Sequence, residues 1–211
     1  MANVQGYFGF IQWGTASGKP NFAENGNTPY RIAGGSSAPY ATAIYKGDAV
    51  RMNSSGPTGY VEQWANGDGG TASRILLGIF DGCDYFSLSQ NKQIYSPYWP
   101  GTTDAVGDVN AYVIDDPQAL FKVQAGIASA ITQANIGQVA DIVASPTGNG
   151  YTFQSGMSLS TPTASTADTL PFKIVNIINT PLGANGTDTT TPYNYVVVAM
   201  NNQQYKSLVG V

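Results

Sequence analysis

Three groups of residues in this 211-residue chain have types that bond-making chemistry uses. Ser89-Gln90-Asn91-Lys92 matches the S-x-x-K pattern, in which one helical turn sets a lysine amine beside a serine hydroxyl and takes its proton during acyl transfer. The surroundings do not support that reading. The segment lies between strand candidates, and the S-D-N and K-T-G elements that accompany such a nucleophile are absent, so a solvated turn is expected. Paired carboxylates at a fixed separation are the second route, to glycoside hydrolysis. Only Glu24 and Glu62 stand beside eleven aspartates, which leaves that route thin. Third, Asp104, Asp108, Asp115 and Asp116 offer the hard oxygens that calcium takes, without EF-hand spacing or a repeated Asp-x-Asp pattern. Asp115-Asp116-Pro117 reads instead as a strand end, the carboxylates accepting backbone N–H groups and the proline setting the turn.

What is missing narrows the chemistry further. Histidine is absent, which removes Ser-His-Asp and Cys-His catalysis, HExxH sites and the usual zinc, copper and non-haem iron ligand sets. Cys83 is the single cysteine; without a histidine base it reads as a structural, partly buried thiol. Gly67, Gly69 and Gly70 in NGDGG precede neither a helix nor Lys-Ser/Thr, so a flexible hairpin tip is expected there and a phosphate cradle is not. No catalytic, cofactor-binding or metal-ligating residue is expected, and the chain is read as a non-enzyme without a cofactor.

Aromatic residues remain: Tyr95, Tyr98 and Trp99 in IYSPYWPG, and Tyr7, Phe8, Phe10 and Trp13 near the N-terminus. Such rings anchor protein interfaces, where they give large rigid contact area with a polar handle, or fill a core. A sugar-stacking platform is the rival use.

Composition bounds the class. Charged residues make up 10% of the chain, against about 25% in typical globular proteins, while Gly (25) and Tyr (13) are abundant. The surface is therefore polar but weakly charged, which suits a protein packed beside copies of itself or a partner. Net charge is −4, and the nine Lys and Arg are scattered singly, so neither nucleic acid nor a membrane surface is an expected partner. The start, MANVQGYFGFIQWGT, lacks the charged and apolar regions of a secretory signal, and no stretch approaches the roughly 18 apolar residues of a membrane span. One cysteine excludes an internal disulfide and fits assembly in a reducing cytoplasm. The sequons at Asn53 and Asn185 read as ordinary turn chemistry.

The elements that would hold these residues are short runs rich in Val, Ile, Tyr and Phe between Gly, Pro and Asn punctuation. They predict strands at Tyr7–Trp13, Ala41–Tyr45, Ala49–Met52, Tyr60–Trp64, Ile75–Asp81, Asp84–Ser87, Val109–Ile114, Leu120–Gln124, Gln138–Val143, Tyr151–Gln154, Phe172–Ile178 and Tyr195–Met200. Asn-Gly pairs at Asn25, Asn66, Asn149 and Asn185 tolerate positive φ and favour hairpins. Only Ala128–Ala134 has room for two helical turns, too few for parallel crossovers. The expected fold is all-β with little helix, an antiparallel β-barrel or β-sandwich of jelly-roll or tulip-like type. Its divisions are an extended N-terminal arm over 1–40, a main barrel or sandwich over 41–145, and a C-terminal β segment over 146–211, either separate or part of the same domain. A boundary falls near Pro146, ahead of the polar loop Ser155–Asp168. The Gly-rich arm Asn3–Pro39 is expected to reach a neighbouring subunit by strand addition, and deletion of residues 1–35 to weaken that binding while leaving the barrel folded.

The succession ATAIYKGDAVRM (41–52), ILLGIFDGCDYF (75–86), YSPYWPG (95–101) and VNAYVIDDPQALFKVQ (109–124) resembles tailed-bacteriophage head decoration, or cement, proteins. The likeness covers about residues 41–143 and rests on strand patterns, with no catalytic residue to carry over. It implies a β protein on the outer capsid surface, a homotrimer that bridges subunits of the major capsid protein and, by binding the assembled lattice, stabilises it by mass action. The alternatives are another virion β protein, such as a head fibre, tail or baseplate component, and a carbohydrate-binding β module.

Overall fold

The fold is seen in a computed structural model that describes residues 2–16, 28–34, 39–53, 59–71, 74–101, 104–126, 129–144, 148–162, 169–181 and 186–206. Among them lie fifteen strands: β1 (Ile11–Thr15), β2 (Thr28–Ile32), β3 (Ile44–Tyr45), β4 (Ala49–Met52), β5 (Val61–Gln63), β6 (Leu76–Ser87), β7 (Lys92–Ser96), β8 (Tyr98–Trp99), β9 (Val109–Ile114), β10 (Ala119–Gln124), β11 (Val139–Ala140), β12 (Ile142–Val143), β13 (Ser158–Leu159), β14 (Phe172–Ile177) and β15 (Tyr195–Met200). Helix among the described residues is a single 3-10 turn at Gln133–Asn135, with Thr132 as its N-cap, overlapping the end of the one stretch that had room for helical turns. Tyr151–Gln154, expected as a strand, is a turn that closes Asn149 against Gln154.

Two antiparallel sheets carry the fold. The first runs β1-β10-β15-β14-β11; the second runs β2-β9-β6-β4-β5, with β7 also paired to β6. Small ribbons β3-β8 and β12-β13 complete it, so the architecture is an all-β assembly of packed antiparallel sheets, as the alternating patterns require. In β10, Ala119, Phe121 and Val123 alternate inward and continue at Ala125; in β15, Val196, Val198 and Met200 do the same. They meet Leu76, Ile79 and Ile114 of the second sheet in one core between the sheets. A second core lies on the other side of the second sheet, where Leu77, Phe80, Val109, Ala111 and Val113 pack on Trp99, Ile44 and Ile32. The central strand is thus buried on both faces over its first half, which is why LLGIF reads as a continuous apolar run.

Two β-bulges let β6 serve both cores. The register with β4 skips Leu77, and the register with β9 skips Asp81. Each extra residue resets which face the next side chain meets, so Ile79 enters the inter-sheet core while Phe80, Cys83 and Tyr85 enter the second. Gly78 sits where a Cβ would lie 2.3 Å from the Ile114 carbonyl oxygen, so the close passage of β6 and β9 depends on it.

The first sheet draws β1 from the expected N-terminal arm, β10 and β11 from the expected main segment, and β14 and β15 from the C-terminal segment. β1 pairs with β10 and β2 with β9, both within the chain. Phe10, just ahead of β1, stacks on Phe172 at 4.5 Å between centroids inside the inter-sheet core. Asn3 accepts from the Gly186 and Asp188 N–H groups and donates to the Asp188 and Pro192 carbonyls, fastening the start of the chain to the segment before β15. The boundary near Pro146, and the 163–168 part of the polar loop, fall outside the described residues.

Candidate functional site

The aromatic residues singled out in the sequence divide between core and surface. Trp99 is fully buried, with its indole N–H donating to the Tyr40 carbonyl at 2.9 Å and its ring edge-on to Tyr85. Phe10 is core, as described. Tyr98 is the middle ring of a three-ring stack, 5.7 Å from Tyr45 and 4.6 Å from Phe153, and Phe153 takes a φ of +57° to complete it. That conformation is uncommon for a bulky residue and is held by the turn around Asn149. On the outer face of the first sheet, the Lys122 ammonium lies 4.3 Å from the Tyr195 ring centroid, 5.5 Å from Phe8 and 6.0 Å from Trp13. Trp13 is the residue that the β1–β10 register skips, and this bulge turns the indole outward, 56% exposed. Desolvation by these neighbours pulls the Lys122 amine below its usual value.

Around Tyr95 the structure builds a surface that the sequence did not reveal. Beyond the end of β6, the Leu88 N–H donates to the Asp104 carbonyl at 2.8 Å and the Val106 N–H to the Phe86 carbonyl at 2.9 Å, which pairs Ser87 with Ala105. Ser87 and Ala105 are buried, so alternation sends Phe86, Leu88 and Val106 to the opposite, outer side. Tyr95 pairs with Asp84, two positions before Phe86 on that same face. The four side chains are 39% to 75% exposed and share one face around the β6–β7 hairpin, where Gln93 lies directly opposite Phe86. This face stands on a rigid base: Asp84 beneath it accepts from Tyr112 at 2.5 Å, Gln93 at 2.5 Å and Asn110 at 3.0 Å.

The polar candidates are placed apart. Ser89 sits in the hairpin turn, where its N–H and hydroxyl both donate to Asp104, and Lys92 leaves on β7. No helical turn brings the amine to the hydroxyl. Hydrogen bonds from Ser87, first, and Ser89 hold the Asp104 carboxyl below its usual value. Asp108 accepts from Tyr60, Asp115 from Thr28 and Tyr30, and Asp116 from the Gln118 N–H, so the four aspartates serve four separate turns and pairings. Among the described residues, no three His, Cys, Asp or Glu side chains gather into a metal-holding group. Glu24 and the Asn25 and Asn185 turns lie outside the described residues. Cys83 is buried, its thiol donating to the Tyr98 carbonyl at 3.3 Å, and burial pushes its pKa up to about 12.

Two buried charge centres went unread in the sequence. NGDGG is a pinned corner in place of the expected flexible tip. Asp68 accepts from Arg51 Nε at 2.8 Å and the Ala65 N–H at 2.8 Å, and pairs with Arg74 at 3.4 Å. Arg51 also pairs with Glu62 directly across β4 and β5. Burial raises the Glu62 carboxyl, with Arg51 opposing, and burial likewise raises Asp141, whose carboxylate backs onto Gly69. The second centre is Asp48, fully buried in the turn between β3 and β4. Its Oδ2 accepts from the Tyr45 N–H at 2.8 Å and from Gln63 Nε2 at 2.6 Å. Oδ1 has no well-aligned donor, although the Ser155 hydroxyl lies close enough to favour the ionised form. Burial outweighs all three and pushes the pKa up to about 6. An Asp directly after a Gly between two strand runs marks a turn in the sequence; that the turn would be covered by Ser155 and Met157, over a hundred positions on, is not marked there.

Comparison of the chain with known protein families, with characterised proteins and with solved structures found no match. The geometry itself provides exposed apolar and aromatic side chains on rigid strands, with the singled-out nucleophile and, among the described residues, the singled-out carboxylates engaged in local structure.

Proposed function

We propose that the chain is a structural protein of a tailed-phage virion. In this reading it decorates the outer capsid surface as a homotrimer and stabilises the head by bridging major capsid protein subunits. The observation that carries the reading is the exposed hairpin face with Phe86, Leu88, Tyr95 and Val106. Exposed apolar side chains held together on a stiff antiparallel base are what a protein–protein contact uses, since ordering them on binding costs little entropy. Sparse charge and the strand-pattern resemblance support the same reading.

The test is labelling of intact particles of the encoding phage with an antibody against the chain. Regular labelling over the whole head is expected, and Tyr95→Ala with Leu88→Ser should weaken rebinding to stripped heads while leaving the fold intact. Labelling confined to the tail, or absent, refutes decoration.

A sugar-binding reading has one observation in its favour, the outward Trp13 indole beside Lys122. Trp64 and Trp99 are fully buried, so a stacked sugar would quench Trp13 alone. Emission unchanged in Trp13→Phe and sensitive to sugar in the parent protein would favour this use.

A further inference from the structure

Between the edge of the first sheet and the second sheet lies a cleft of about 420 Å³, lined by Phe8, Phe10, Gln12, Ile79, Asp81 and Ile114 among others. We propose that this cleft binds a small neutral molecule with an apolar body and a carbonyl oxygen at one end.

The volume falls within the range of about 300–1,000 Å³ common for ligand pockets, which favour the join between two packed units. Its apolar lining comes from Phe8 and Phe10 in the segment before β1, Ile79 from β6 and Ile114 from β9, beside polar lining from Gln12, Lys46, Asp81 and Gln154. Its polar groups arrive by departures from the strand pattern. Gln12 pairs directly with Phe121, whose ring is in the core, so Gln12 points to the same inner side, where an apolar residue is the rule. Its Nε2 is buried and has no hydrogen-bond partner. A buried amide donor left unmatched is costly, and a ligand oxygen would satisfy it.

Asp81 is the bulge residue of β6, and the bulge brings its carboxylate to the lining of the cleft. There Lys46 meets it at 2.7 Å. The two charges compensate one another at a partly exposed position, so the cleft offers no net charge to an ion, and a carboxylate ligand would face Asp81. An orphaned donor, an apolar body space and a neutralised rim together select a neutral carbonyl compound.

The experiment titrates 15N-labelled full-length protein with 3-phenylpropanamide, propylbenzene or 3-phenylpropanoate and follows amide shifts. With 3-phenylpropanamide, the Gln12 side-chain amide pair and the backbone amides of Phe10, Gly47 and Phe80 should move together and saturate, more tightly than with the other two probes. In Gln12→Leu the amide probe should lose about three- to tenfold in affinity, the worth of one neutral hydrogen bond, while propylbenzene is held as well or better. Gln12→Met, which keeps the side-chain length, repeats the measurement if the leucine variant does not fold. Absence of saturation with 3-phenylpropanamide, an equal loss for both neutral probes, or unchanged amide affinity in the variant overturns the proposal.

Discussion

Asp48→Asn should make the protein more stable at neutral pH, and the gain should vanish in acid. The parent carboxyl has its pKa raised by burial to about 6, from 3.8. Because the folded value is the higher one, the folded state binds the proton more tightly than the unfolded chain. That contribution is fully present below pH about 4 and is lost as the pH rises through about 6. At pH 7 the buried ionised form therefore costs about 3 kcal/mol relative to a neutral side chain in the same place. An asparagine oxygen can accept the Tyr45 N–H and the Gln63 amide as Oδ2 does, and its NH2 can donate toward Ser155. Urea unfolding of both proteins at several pH values reads the effect. Equal stability is expected near pH 4, with a gap opening to about 3 kcal/mol in favour of asparagine by pH 7. Glu62 and Asp141 are also raised by burial and also favour acid, but both proteins carry them, so the difference isolates position 48. Asp48→Ala is the control: it leaves two buried donors without an acceptor and, relative to the asparagine variant, should cost about 1–3 kcal/mol for each at either pH. A gap that does not change with pH, or an asparagine variant weaker than the parent at pH 7, refutes the reasoning.

Arg51→Met should cost about 3–5 kcal/mol by urea unfolding at pH 7, since it strands Glu62 and Asp68 without their buried cation. Cys83 should react with a thiol reagent only as fast as the native protein opens, and at once in denaturant, because burial keeps it protonated; rapid reaction of the native protein would show the second core to be loose. Deleting residues 1–13 should destabilise the whole fold, measured by its thermal midpoint, where the sequence suggested an arm that serves a neighbour and leaves the barrel folded when removed. It removes Phe10 from its stack on Phe172 and the Asn3 bonds to the segment before β15, and burying one Phe alone contributes about 3–5 kcal/mol.

The sequence determined the class of this fold, because strand formation is local. Alternation in VNAYVI, ALFKVQ and YVVVAM sets which side chains share a face, and those strands formed where the pattern placed them. The absence of histidine likewise bounded the chemistry without reference to any partner in space. Short edge elements such as β2, β8 and β13 escaped, since two to five residues interrupted by proline or serine carry little periodicity. β6 read as two strands, Ile75–Asp81 and Asp84–Ser87, because the bulge at Asp81 and the glycine after it break the period that identifies a strand.

Everything that makes a surface or a site was decided in three dimensions. The rings of IYSPYWPG read as interface or core without a division between the two, and alternation and packing sent Trp99 into a core, Tyr98 into a ring stack and Tyr95 to the exposed face of a hairpin. Asp48, Asp68 and Asp104 are the same residue in sequence terms, and their environments differ by which distant donors fold against them. Burial, ion pairing and exposure depend on contacts between residues far apart along the chain. A linear pattern records only which face a residue takes, and what covers that face is known once the sheets have packed.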